Sequence, residues 1–245
     1  MSAKTPVVAV LSYHKIGEPP PDGWRSWYYV SEDRFTGHLE YLRDHGWPVL
    51  DAATFIRGLG EPGSLPDRSA LLTFDDAYRS MRSVALPVLL RFDFPAVVFV
   101  PAGRIGWRNE WDQGIEPTEQ LCDWDDLHAL REGGVSIQSH GWDHRRFSEL
   151  SADARGKELR RSRRFLQQRT GTDVALFAYP YGDDGEGSPE IRSQVEAAGY
   201  SAAFLFGGGP VAMPVSDPFG IERLAVGSDT ELDALLGPVS AGVAR

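Results

Sequence analysis

The chain has 245 residues, 42% of them hydrophobic and 24% charged, a balance that supports a sizeable core and excludes a largely disordered protein. Its 25 basic residues stand against 35 acidic ones for a formal charge of −10; the basic residues concentrate only at 160–164 with Arg169, so nucleic acid is not an expected partner. A single cysteine, Cys122, excludes an internal disulfide framework. No apolar run reaches membrane-spanning length, and the opening Met1-Ser2-Ala3-Lys4-Thr5-Pro6 lacks the apolar stretch of a signal peptide. The expectation is one domain over residues 1–245, cytoplasmic and not inserted in a membrane.

The first apolar run, 7–11, reads as a strand that ends in Ser12-Tyr13-His14. A long loop at 17–29 carries Trp24, Trp27, Tyr28 and Tyr29, and a helix over 31–45 opens on a Ser31 cap and closes at Gly46. A strand at 70–74 runs straight into Asp75-Asp76, with a helix expected over 77–91. The strand at 96–100 leads to a second Trp-rich loop, 102–123, holding Trp107 and Trp111; loops of this length in a compact fold tend to be functional. A helix at 124–132, the pair Gly133-Gly134 and a strand at 135–138 lead to Ser139-His140-Gly141-Trp142-Asp143-His144. A helix at 153–169, a strand at 175–178 ending in Tyr179-Pro180-Tyr181-Gly182, a helix at 189–198 and a strand at 202–206 continue the alternation. Ile221-Glu222-Arg223-Leu224 reads as a last strand. Strands alternating with helices argue for parallel βαβ units, the α/β class.

Neighbouring side chains on a strand point to opposite faces, so Asp75 and Asp76 can serve one site only where the strand ends. Such ends form the rim at which α/β barrels keep their chemistry. An Asp there could equally cap the following helix. The i, i+4 spacing of His140 and His144 would place both imidazoles on one side of a helical turn, as in His-Glu-x-x-His zinc enzymes; two solvated helix histidines are the plainer alternative. A hydrolytic metal centre needs about three His or carboxylate ligands, an open position and a base. These four residues supply the parts.

Thr73-Phe74-Asp75-Asp76, Ser139-His140-Gly141-Trp142-Asp143-His144 and Phe177-Ala178-Tyr179-Pro180-Tyr181-Gly182 resemble the ordered motifs of polysaccharide deacetylases, the NodB-like carbohydrate esterases. The resemblance runs over residues 7–223 and is nearest the branch with an N-terminal Tyr-His motif that includes poly-N-acetylglucosamine deacetylases. It implies a distorted (β/α)7 barrel and a metal-dependent hydrolase that removes an N-acetyl or other N-acyl group from an amino sugar. It also implies Asp76, His140 and His144 as metal ligands, Asp75 as general base and the Tyr181 backbone N–H as oxyanion donor. Tyr179, Pro180, Trp107 and Trp142 are the expected substrate contacts. Zinc suits such His/Asp ligation, and cobalt, nickel or iron accept the same ligands.

The chain departs from the common family pattern in three places. No histidine follows His144 to form the Leu-x-His motif that protonates the leaving amine in most relatives, so His14 is expected as the acid. Ala178 stands where many relatives carry an arginine that orients the base, and Arg223 is the candidate to replace it. Gly141 replaces a hydroxyl residue. The expected substrate is a small molecule or oligosaccharide bearing an N-acyl group. Two other readings stay open: an idle carbohydrate-binding protein with a structural metal, and a C–N hydrolase acting on a non-sugar small molecule.

Overall fold

A computed structural model describes residues 5–21 and 26–237. Its strands are β1 (Val7–Tyr13), β2 (Lys15–Ile16), β3 (Tyr29–Val30), β4 (Arg68–Phe74), β5 (Ala96–Val100), β6 (Val135–Ser139), β7 (Leu176–Ala178), β8 (Ala202–Phe204), β9 (Val211–Ala212) and β10 (Leu224–Ala225). Its α-helices are α1 (Glu32–Asp44), α2 (Ala52–Gly60), α3 (Leu86–Phe92), α4 (Trp124–Glu132), α5 (Ala152–Thr170), α6 (Pro189–Ala197) and α7 (Leu232–Leu236).

The long apolar strands are buried on both faces, which is what a parallel sheet covered by helices requires. They follow the order β10-β1-β4-β5-β6-β7-β8, with β9 antiparallel against the start of β1. The sheet curls until its ends meet: Ile221, just before β10, bridges Phe204 of β8, while Leu224 pairs with Leu11 of β1. The result is a distorted barrel of seven parallel segments.

Alternation along each strand separates two cores. Val8, Val10, Leu71, Val97, Phe99, Leu176, Ala178 and Phe204 pack together inside the barrel. Ala9, Leu11, Tyr13, Leu72, Phe74, Val98, Ile137 and Phe177 pack outward, together with helix residues such as Leu39 and Leu159. The period of two then carries the inward face of β1, β4 and β6 on to His14, Asp75 and His140 at the C-terminal rim.

Helix boundaries follow local chemistry. Ser31, Asp51, Asp123 and Ser151 each accept a backbone N–H as N-caps of α1, α2, α4 and α5, and α5 stops at the left-handed Gly171. The expected helix over 77–91 is shorter and irregular. Asp76 and Ala77 are left-handed (φ 67° and 57°), a π-helical turn occupies Met81–Ala85, and only then does α3 begin, with Pro87 in its first turn. Helix α2 was not expected: its two glycines weaken the helical signal, but Phe55 supplies a buried anchor. No helix among the described residues is long and apolar enough to cross a membrane.

Candidate metal centre

Asp75 prolongs β4, its N–H bonded to Tyr13 O at 2.9 Å, and His140 prolongs β6 in the same way through Val100 O at 2.9 Å. Left-handed geometry at Asp76 and Ala77 then breaks the strand period and brings the second carboxylate round to the side of the first. Non-glycine residues pay about 1–3 kcal/mol for such backbone, a cost typical of functional sites. Neither carboxylate caps a helix.

The histidine pair is not on a helical turn. Residues 140–144 form an irregular loop in which Gly141 (φ 80°) and His144 (φ 57°) are left-handed. The loop is held from below by buried Glu158 of α5, whose Oε2 accepts the N–H groups of Trp142 (2.7 Å) and Asp143 (3.1 Å). Ser139 Oγ accepts from Gly141 N at 3.3 Å. A β-carbon at residue 141 would lie 3.4 Å from Glu158 Oε2 in a conformation that disfavours one, so glycine suits this position.

Asp76 Oδ1 lies 3.1 Å from His144 Nε2 and 3.4 Å from His140 Nε2, with all three residues buried. That oxygen accepts no hydrogen bond among the described residues, and one donor atom from each residue falls within 4.8 Å of the others. His140 Nδ1 donates to Ala178 O at 2.7 Å, which leaves the Nε2 lone pair facing the centre. Trp111 stacks flat on His144 at 4.2 Å and Tyr181 meets its edge at 4.6 Å. Burial alone would raise the Asp76 carboxyl, but the two imidazoles hold it well below its ordinary value. An orphaned buried oxygen facing two imidazole nitrogens fits a divalent transition metal.

Asp75 faces a different partner. Fully buried Arg223 grips it through Nη1–Oδ1 and Nη2–Oδ2 contacts of 2.7 Å each, and also donates to Thr73 Oγ1 (3.2 Å) and Leu205 O (2.6 Å). Burial pushes the Asp75 carboxyl up, but the charge and paired hydrogen bonds of Arg223 reverse this, so it lies below its ordinary value. His14 Nε2 is 3.9 Å from Asp75 Oδ2, and its ring sits between Tyr28 (4.9 Å) and Phe206 (5.4 Å). Burial pulls the His14 imidazole below its usual value, against the opposing pull of Asp75 and Asp76.

His14, Asp75, Asp76, His140 and His144 line a cavity of about 300 Å³ together with Lys15, Tyr28, Tyr78, Trp111, Asp112, Glu116, Arg146, Tyr181 and Phe206. Tyr181 is left-handed (φ 60°) in the turn Pro180–Gly182, and its N–H donates to no backbone carbonyl among the described residues. The four expected substrate contacts lie elsewhere. Tyr179 is buried against Phe147 and Phe177 with its hydroxyl bonded to Phe219 O at 3.0 Å, and Pro180 is the buried first residue of the turn. Trp107 is 58% exposed on the outer loop. Trp142 packs under the Arg161 guanidinium (3.5 Å) in a separate basic groove. Of the loop aromatics, Tyr28 and Trp111 reach the cavity, Trp27 is tied to Asp229 (2.6 Å), and Trp24 lies outside the described residues.

Lys15, Tyr78, Asp112, Glu116, Arg146 and Phe206 also face the cavity, and no motif in the sequence marks them. The signals present were faint: Lys15 adjoins His14, and Asp112 and Glu116 are acids four apart in a Trp-rich loop. Asn109, fully buried, shapes that loop by donating to Pro117 O (3.0 Å) and accepting from Glu119 N (2.6 Å). Burial, and then the nearby Asp76 carboxylate, push the Asp112 carboxyl up.

The profile of the polysaccharide deacetylase family matches residues 63–203. The poly-beta-1,6-N-acetyl-D-glucosamine N-deacetylase of Staphylococcus epidermidis is 28% identical over 167 residues, which cover 63% of this chain and 54% of that protein. The chain thus spans little more than half the length of this curated relative. Among solved structures, IcaB from Ammonifex degensii superposes with a TM-score of 0.77 at 25% identity, covering 94% of each chain. The deacetylase PplD of Streptococcus pyogenes, in complex with acetate, shares the fold with a TM-score of 0.82 at 20% identity, covering 96% of this chain and 100% of that one. With more than half of its length inside the family profile, the chain belongs to the polysaccharide deacetylases.

Proposed function

We propose that the protein is a metal-dependent N-deacetylase of N-acetylated amino sugars, with an N-acetylglucosamine glycan as the substrate class. The observation that carries this reading is that Asp75 stands beside the Asp76–His140–His144 triad without belonging to it, ionised and oriented by Arg223. A purely structural metal has no use for a second buried carboxylate. The name of the S. epidermidis relative supports the choice of glycan.

The N,N,O donor set suits zinc, and cobalt, nickel or iron would be accepted. Held there, such a metal would polarise the amide carbonyl and make a bound water acidic, towards a pKa of about 7. Asp75 is the group that takes the water's proton; the Arg223 fork fixes its oxygens and keeps them unprotonated at neutral pH. The Tyr181 N–H, not spent on a backbone carbonyl, supports the carbonyl oxygen as negative charge develops on it. His14 shares the space in front of Asp75 and delivers the proton that the departing amine needs. The C–N bond breaks, and the products are acetate and the amine. Tyr28, Trp111, Tyr181 and Phe206 supply the aromatic faces that stack on sugar rings.

The test is acetate release from N-acetylglucosamine oligomers. Release by the metal-loaded protein, lost on chelation and restored by added zinc or cobalt, is the expected result. No metal-dependent acetate release from any N-acetylated amino sugar would refute the reading.

A further inference from the structure

The carboxylates of the cavity are not all matched by a positive charge. Asp75 has Arg223, Glu116 has Lys15 at 2.8 Å, and Asp76 faces the site that fits a metal. Among the described residues Asp112 makes no ion pair; the remaining cation of the cavity, Arg146, lies over the Tyr181 ring at 4.2 Å. Its Oδ2 receives only two long bonds from neutral donors, Tyr78 OH at 3.4 Å and Asn109 Nδ2 at 3.5 Å. Its Oδ1 accepts no hydrogen bond from the described residues, although the residue lines the cavity.

The position is nonetheless firmly built. Asp112 ends the 3-10 turn Glu110–Asp112, with its N–H bonded to Asn109 O at 3.1 Å, and Asn109 is itself locked on both sides. The preceding residue, Trp111, lies flat on metal-triad residue His144. The carboxylate is therefore set one residue from the wall of the candidate metal centre, in the same cavity as the aromatic rings. A half-buried carboxylate with one unengaged oxygen, held rigidly in a binding cavity, is matched by a positive group that the ligand brings.

We propose that Asp112 receives the ammonium group of a glucosamine unit bound in the cavity, so that the site distinguishes units with a free amine from units without one. The choice of ligand rests on the deacetylase reading: each hydrolysed N-acetyl group leaves a primary amine, which is protonated at neutral pH. Chains that already carry free amines are then held more tightly than neutral chains of the same length.

The experiment is calorimetric titration of the metal-loaded protein with glucosamine oligomers and with glucose oligomers of the same length and linkage, neither of which carries an acetyl group to lose. The ratio of the two Kd values is the readout, because a general loosening of the fold changes both together. Wild type should prefer the amine, and Asp112→Asn should reduce that preference about tenfold. An equal ratio in the two proteins, or no preference in wild type, overturns the proposal. A wild type that shows the preference yet releases no acetate from N-acetylated oligomers sinks the deacetylase reading and leaves Asp112 in place. Acetate release with an unchanged ratio sinks Asp112 alone.

Discussion

Arg223 is buried and engaged from several sides, with Asp75, Thr73, Leu205 O and the face of Phe99 around it. Replacing it with methionine would strand the Asp75 carboxylate in a dry site, so denaturant unfolding of Arg223→Met should show a loss of about 3 kcal/mol. The same pair sets a pH dependence. The folded-state pKa of Asp75 is depressed, so its contribution to stability is complete above the unfolded value of about 4 and is lost as pH falls through the lower folded value. Melting temperature should therefore fall below about pH 4 in wild type, and fall less over that range in Asp75→Asn; equal slopes would mean that Asp75 is not the group titrating. Beside Asp75, at the end of the neighbouring strand, His14→Ala should retain its metal but lose about a hundredfold or more in turnover, measured as acetate release alongside metal analysis. An active His14→Ala would point to another proton donor. At this scale the sequence was legible where motif and rim coincide: His14, Asp75, Asp76, His140 and His144 are strand-end residues that the period of two delivers to one place. Asp112 and Glu116 were hidden because their placement depends on how a 22-residue stretch, 102–123, doubles back through Asn109, and no local pattern encodes that.

That stretch is the element on which the cavity depends most after the strands themselves. Bridges Arg108–Gln120 and Tyr78–Leu121 tie it to itself and to the segment after Asp76, and the Glu116–Lys15 ion pair clips it to β2 beside His14. Ser26 Oγ donates to the same Glu116 oxygen, joining the other long loop to the clip. Removing the Asn109 side chain leaves the Glu119 N–H and Pro117 O without partners, at about 1–3 kcal/mol. Asn109→Ala should accordingly raise hydrogen exchange across 102–123 and raise KM more than it lowers kcat, because it frees Trp111 and Asp112 while Asp75 and its Arg223 fork stay on the strands. Unchanged exchange would show that the loop is held by other contacts. Among elements, the six apolar strands and the capped helices were readable from burial period and capping residues. The helix over 77–91 was misread because left-handed backbone at Asp76 and Ala77 obeys the site rather than the propensity of the residues, and α2 was missed because packing of Phe55 overrode two glycines.

Over the whole molecule, closure of the barrel gives the site its composition. The segment around Ile221 and Leu224 joins β8 to β1, and by doing so carries Arg223 across to Asp75, 148 residues earlier in the chain. The seven-segment α/β barrel followed from strand and helix alternation together with family resemblance; the route by which the base gains its arginine required the closed ring. A metal that binds only the folded state stabilises the whole by mass action, about 2.7 kcal/mol at a hundred times Kd. Chelation should thus lower the melting temperature by about 5–10 °C, and Asp76→Ala should abolish that difference. A shift that survives in Asp76→Ala would place the metal elsewhere.

The division of labour between the two adjacent aspartates is tested most directly by acetate release from metal-loaded Asp75→Asn, with metal content measured on the same sample. Full metal occupancy with acetate release reduced about a thousandfold is the expected result. Release at the wild-type rate with metal retained would contradict it, because Asp75 would then be dispensable to the chemistry.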